Sequence, residues 1–204
     1  MAITPKQFEQ LQAKLSGAKR KPAATPVFES SYRAASAKNQ IIIGVDPSLR
    51  GTGYGVIQMV KPHPRALAHG TISCPAGWER SRCLAKIMQT LRDIIAKHRP
   101  TVCAIEGLFY AQNLQTALIM GEARGAALAV LAESGLDIFE IAPRKVKQAI
   151  VGYGAAQKFA VGKMVQRMLQ LAEAPSPDAA DALALALAYA QDSGRTFGAG
   201  AKRI

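Results

Sequence analysis

Carboxylates are scarce in this chain: 14 Asp and Glu stand against 26 Lys and Arg in 204 residues, a formal net charge of +12. A protein so basic ordinarily meets a polyanion, with nucleic acid the commonest and membrane surfaces and ribosomes the rivals. Cysteine is rarer still. Cys74, Cys83 and Cys103 are odd in number and form no Cys-x-x-Cys pair, which argues against a disulfide framework and for reduced core thiols in the cytoplasm. His63, His69 and His98 lack the spacing of a zinc site. No run reaches the roughly 18 to 20 apolar residues that a membrane span needs. The most apolar stretch, 179–190, is short and holds Asp181. The first thirty residues contain no apolar segment of the signal-peptide kind. With 49% of its residues hydrophobic, the chain can nevertheless bury the core of one full domain plus an appendage.

The appendage comes first. Residues 1–39 read as a basic, largely flexible N-terminal extension able to hold one short helix. Thr4-Pro5-Lys6-Gln7 has the form of a capping box, and Phe8, Leu11 and Leu15 then share a face up to Gly17. The stretch 18–39 has the Lys, Arg, Ala, Ser and Pro composition of a tether. From Gln40 the pattern changes. Ile41-Ile42-Ile43-Gly44-Val45 is the continuous apolar run of a strand covered on both faces. Further strands are expected over 53–60, 66–73, 102–105 and 137–141, and helices over 78–98, 113–134, 143–151, 157–171 and 177–191. This order predicts an α/β fold, a mixed five-stranded sheet flanked by helices, over residues 40–192. Residues 193–204 are expected to form a flexible C-terminal tail.

Four of the few acids stand in telling places. Asp46 ends the first apolar strand, and Glu106 ends Val-Cys-Ala-Ile in the same way. A charge at the end of a buried strand is costly unless compensated. If the two strands are neighbours, both carboxylates leave the sheet at one edge, where open sheets place their sites. Asp178 and Asp181 are three apart at the start of an apolar helix and so share a face. Each acid alone is as well explained by a cap, a turn or an ion pair. Four together, in a chain this short of acids, form a self-repelling cluster that a hard cation would relieve, Mg²⁺ or Mn²⁺ being the natural fit. Two such ions can activate a water and stabilise the leaving oxygen in phosphodiester cleavage.

Gly44-Val45-Asp46-Pro47-Ser48-Leu49-Arg50 with Thr52-Gly53-Tyr54-Gly55 resembles the opening of the RuvC-type crossover junction endodeoxyribonucleases, the Holliday junction resolvases. Ala104-Ile105-Glu106 with Phe109 and Asn113 is similar to their second motif. Gly121-Glu122-Ala123-Arg124-Gly125, then Val146-Lys147-Gln148 with Val151-Gly152 and Lys158, match in order, and 178–184 matches the closing motif. The likeness runs from about Ile41 to Ala190. It implies an RNase H-like fold, a homodimer, and catalysis by Asp46, Glu106, Asp178 and Asp181 with two Mg²⁺ ions, for which Mn²⁺ substitutes. It also implies paired symmetric nicks in four-way junctions during recombination and repair, 5′-phosphate and 3′-hydroxyl ends, and a branch-migration partner, the RuvA–RuvB complex. Two departures stand out: Ser48 where the family usually has Gly, and the forty residues before the first strand.

Arg144, Lys145 and Lys147 open one helix, and Lys158 and Lys163 lie on the next, a surface suited to phosphates or simply to water. The resemblance favours DNA contact for Lys147 and Lys158. Phe109 and Tyr110 follow Glu106 on an expected loop, where aromatics can stack on unpaired bases; the resemblance turns Phe109 outward. Leu114, Leu118, Gly121, Gly125, Leu128 and Ala132 make a stripe that suits a dimer seam or the chain's own sheet. Two rival functions are weaker. An actin-like kinase or ATPase needs a second domain for which the chain has no room, and a non-catalytic DNA-binding protein has no use for four clustered carboxylates.

Overall fold

A computed structural model describes residues 39–107, 113–193 and 201–204. In chain order the elements are β1 (Ile41–Asp46), β2 (Gly51–Gln58), β3 (Arg65–Ser73), α1 (Arg80–His98), β4 (Val102–Glu106), α2 (Leu114–Glu133), β5 (Asp137–Ile141), α3 (Pro143–Val151), α4 (Lys158–Met168), α5 (Pro177–Ser193) and β6 (Ala201–Arg203). The strands form one sheet in the order β3-β2-β1-β4-β5-β6. β1, β4 and β5 run parallel, while β2, β3 and β6 are antiparallel to their neighbours.

The sheet separates two apolar layers, and the period-2 alternation of β1 shows how. Ile42 packs in the layer with α3, α4 and α5, whereas Ile43 and Val45 pack in the layer with α1 and α2. Parallel strands covered on both faces need apolar residues at every position, which is why β1 and β4 read as unbroken runs.

α5 lies directly on the sheet because glycine lets it. A Cβ on Gly44 would stand 1.9 Å from the Ala182 carbonyl oxygen, and one on Gly53 would stand 2.0 Å from that of Asp178. On Gly55 it would meet the Leu183 side chain at 2.7 Å. The three glycines form a groove that admits the helix backbone itself.

Two expectations need correction. The sheet has six strands where five were expected, and Ala201–Arg203 is the added one, antiparallel to β5, inside the segment 193–204 expected to be a flexible tail. An ion pair between Arg203 and Asp137 (2.5 Å) and a bond from the Ile204 amide to the Ile138 carbonyl (3.1 Å) hold it. Its three residues carry no hydrophobic pattern, so only the open edge of β5 specifies it. By length and composition alone α2 is also apolar enough to cross a membrane, but Glu122 and Arg124 interrupt it, as the absence of an unbroken apolar run in the sequence indicates. Its buried Arg124 and its packing against α1 make it a helix of the protein's own layer.

Ser48 is accommodated without strain. Its amide donates to Thr52 Oγ1 (3.2 Å), and that hydroxyl donates back to the Ser48 carbonyl (2.6 Å), closing the β1–β2 turn. Among the described non-glycine residues, positive φ occurs at Asn39, Arg99 and Gln170, so this turn does not require glycine at 48.

Candidate active site

β1 and β4 are parallel neighbours with Val45 beside Ile105, so Asp46 and Glu106, one residue further, leave adjacent strand ends. Because Val45 and Ile105 pack towards α1 and α2, both acids project to the opposite face, under α5. They line a cleft of about 130 Å³ together with Pro143, Val146 and Lys147 of α3, Lys158 and Val161 of α4, and Asp181 and Leu185 of α5.

The side chains of Asp46 and Glu106 lie close enough in the cleft for a hydrogen bond between them to help set their proton affinities. Burial, then the charge of Asp46 and the shared bond, push Glu106 up to about 8. Burial likewise raises Asp46, with Asp181 and Asp178 adding to the effect and the bond to Glu106 opposing it. The Lys158 ammonium donates to Asp181 Oδ2 at 2.8 Å, and this bond raises its own pKa. Lys158 thus stands as a positive charge against three carboxylates.

Asp178 is placed differently. It is not among the cleft-lining residues; its carboxylate lies over Gly51, where a Cβ would meet Oδ2 at 3.0 Å. Three residues along a helix advance about 4.5 Å, which carries Asp178 from β1 towards β2. Its charge still reaches Asp46. Of the candidate DNA contacts, Lys147 and Lys158 line the cleft and Arg144 and Lys145 lie outside it. The Arg144 side chain lies across Gly154, where a Cβ would meet its Cγ at 2.5 Å. Phe109 and Tyr110 lie outside the described residues.

Two further features bear on the site beyond the four acids. From 141 to 172, over α3 and α4, there is no Asp or Glu but six Lys and Arg, and Lys147 and Lys158 of this stretch line the cleft beside Pro143, Val146 and Val161. The second feature is Arg124, buried behind β4.

Among the described residues, no group of three or more His, Cys, Asp or Glu side chains is already gathered as an ion cage. The donor set nevertheless suits a hard divalent cation: the carboxyl groups of Asp46, Glu106 and Asp181 line one cleft, the first two half-screened from water with their proton affinities raised by burial and the third held by a lysine, a charge pattern that a cation would satisfy.

Comparison with known proteins decides the family. The family model described as "Crossover junction endodeoxyribonuclease RuvC" matches residues 42–189, well over half of the chain. The chain belongs to the RuvC family. The RuvC of Akkermansia muciniphila is 45% identical over 148 residues, 72% of this chain and 89% of its own length. That of Coxiella burnetii is 47% identical over 154 residues, 76% of this chain and 89% of its own. The solved structure of Thermus thermophilus RuvC in complex with a Holliday junction substrate superposes with a TM-score of 0.74 at 30% identity, covering 81% of this chain and 99% of that one. This RuvC-family chain therefore has the RNase H-like fold, a mixed sheet flanked by helices, and is an endonuclease of a metal-dependent class.

Proposed function

We propose that this chain resolves four-way DNA junctions at the cleft beneath α5, by metal-assisted hydrolysis of a phosphodiester, leaving 5′-phosphate and 3′-hydroxyl ends. The observation that carries the reading is the convergence of Asp46, Glu106 and Asp181 in one cleft with Lys147 and Lys158 facing them. Asp46, Glu106 and Asp181 would hold the cation, with Asp178 completing the set from its outer edge. Two Mg²⁺ ions are the proposed complement, with Mn²⁺ as a substitute. When bound, such ions supply a Lewis acid for the phosphate and a lowered pKa for the attacking water. Lys158, paired with Asp181 in this structure, would stabilise charge on the scissile phosphate if Asp181 held a cation instead. Lys147 holds the strand beside it, and Arg144 and Lys145 neutralise phosphates further out. Phe109, following Glu106 in sequence, is the proposed base contact.

A junction has near two-fold symmetry, so paired nicks call for a two-fold dimer. The α2 stripe supports one. Ala123, Ala127, Val130 and Leu131 face the protein's own core, while Leu114 (77% exposed) and Leu118 (59% exposed) point outward with Gly125 and Ala132. Family membership further supports the RuvA–RuvB branch-migration complex as partner and the cytoplasm as compartment.

Cleavage of a synthetic four-way junction tests the reading. Asp46→Asn, Glu106→Gln and Asp181→Asn are each expected to lower the rate at least about a hundredfold, beyond what changes behind a metal ligand cost, while junction affinity survives. EDTA is expected to stop cutting in the wild type. Near-normal cleavage by a variant would remove that residue from the site.

A further inference from the structure

Among the described residues the buried polar or charged side chains are Thr52 and Arg124. Thr52 closes a turn; Arg124 sits behind the active-site strand. It lies on the core-facing side of α2, 7% exposed. One guanidinium nitrogen donates to the main-chain carbonyl of Glu106, and another pairs with the Glu140 carboxylate. Glu140 is on β5 opposite Ile105, and it packs across Gly107, where a Cβ would approach its Cγ to 3.2 Å. The Gly107 amide in turn donates to the Ile141 carbonyl at 2.9 Å.

Glu106 is therefore anchored on both sides of its peptide: its carbonyl by Arg124, and the following amide by β5. These bonds add to the pairing of Ile105 with Val45 and Glu140 and fix the last peptide of β4, which ends at Glu106. A buried guanidinium is costly to desolvate and persists where its partners are in place. Arginine suits the position because its rigid fork sends separate donors to two acceptors at once, which a lysine ammonium does poorly.

We propose that Arg124, held by Glu140, is the positioning residue for Glu106: it fixes the peptide that aims this carboxylate at Asp46 and thereby sets the affinity of the cleft for a divalent cation. The inference rests on the reading of Glu106 as a cation ligand. Groups that orient a metal ligand from behind are typically worth 10- to 100-fold in metal affinity, which is the effect expected here.

The test is Mn²⁺ binding by the full chain without DNA, followed through the electron paramagnetic resonance signal of free Mn²⁺, alongside thermal unfolding. Arg124→Met is expected to weaken Mn²⁺ binding by about 10- to 100-fold. Arg124→Lys, keeping one donor, should recover part of that loss, and Glu140→Gln, keeping an acceptor, should lose least. A purely structural arginine would lower the unfolding temperature of these variants and leave Mn²⁺ affinity unchanged while they are folded. Wild-type affinity in folded Arg124→Met overturns the proposal; if that variant does not fold, wild-type affinity in Arg124→Lys overturns it. Glu106→Gln separates the two readings. If it loses Mn²⁺ while the Arg124 variants do not, the positioning role alone fails; if it binds as wild type, the assignment of Glu106 as ligand fails first.

Discussion

Glu106 illustrates how a functional residue opposes the stability of its own fold. Its carboxyl lies at about 8 in the folded protein against an ordinary 4.5. Between those values the native state binds more protons than the unfolded chain, so stability declines with rising pH through this window. The contribution is fully present below the unfolded value and is gone above the folded one. Glu106→Gln cannot ionise and escapes the decline. In EDTA its unfolding temperature relative to wild type is therefore expected to be higher at about pH 9 than at about pH 5, as read by calorimetry. An equal difference at both pH values would show that burial does not hold the proton there. Added Mg²⁺ should restore the wild type most at the alkaline end, since cation binding displaces a proton. At this scale Asp46 and Glu106 were legible because a charge ending an apolar run is conspicuous. Arg124 was not, because nothing in a helical Ala-Arg-Gly announces a bond to a strand eighteen residues upstream. Asp178 was half legible: it opens the same helix as Asp181, but it lies over Gly51 of β2 while Asp181 lines the cleft, and spacing alone does not say which of the two enters it.

Among the elements, α5 depends most on residues outside itself. Asp181 reaches the cleft because Gly44, Gly53 and Gly55 let the helix backbone rest on the strands. Gly53→Ala would place a methyl group 2.0 Å from a main-chain oxygen, and neither side can yield by rotating a side chain. A loss of about 3 kcal/mol, the upper end of ordinary overpacking, is expected in urea unfolding. Cleavage should fall as well, because the helix that carries Asp181 is pushed off. Retained stability with full activity would mean that α5 adapts more readily than the close approach suggests. The sequence located these glycines, but the pressure on them comes from a helix about 130 residues later, which spacing cannot reveal. Strands β1 and β4 and the helices were readable from continuous runs and 3.6-residue periods. β6 was not, because Ala-Lys-Arg takes its conformation from the β5 edge.

For the whole molecule, the exposed end of α2 and the basic extension carry separate expectations. Leu118→Glu adds a charge to an outward position and should leave the unfolding temperature of the chain nearly unchanged. Sedimentation should then find monomers, and paired nicks in a junction should become independent single nicks; a dimer that persists would place the seam elsewhere. Deleting residues 1–39, which hold seven Lys and Arg within the chain's total, should leave cleavage chemistry intact. It should flatten the dependence of log K on log salt by up to about 0.9 for each phosphate that the extension neutralises, and an unchanged slope would deny the extension a role in binding. The groove on the sheet also divides the glycines by what would select them. Gly44, Gly53 and Gly55 have no room for a methyl group, whereas Gly121 and Gly125 face open space. In a randomised library screened for solubility alone, the first three should stay fixed and the α2 pair should drift to alanine or serine. Screened instead for rescue of recombination in living cells, all five should be retained if the proposed α2 seam is used, so that the two mutational spectra, subtracted, would test that surface as a contact between two copies of the chain.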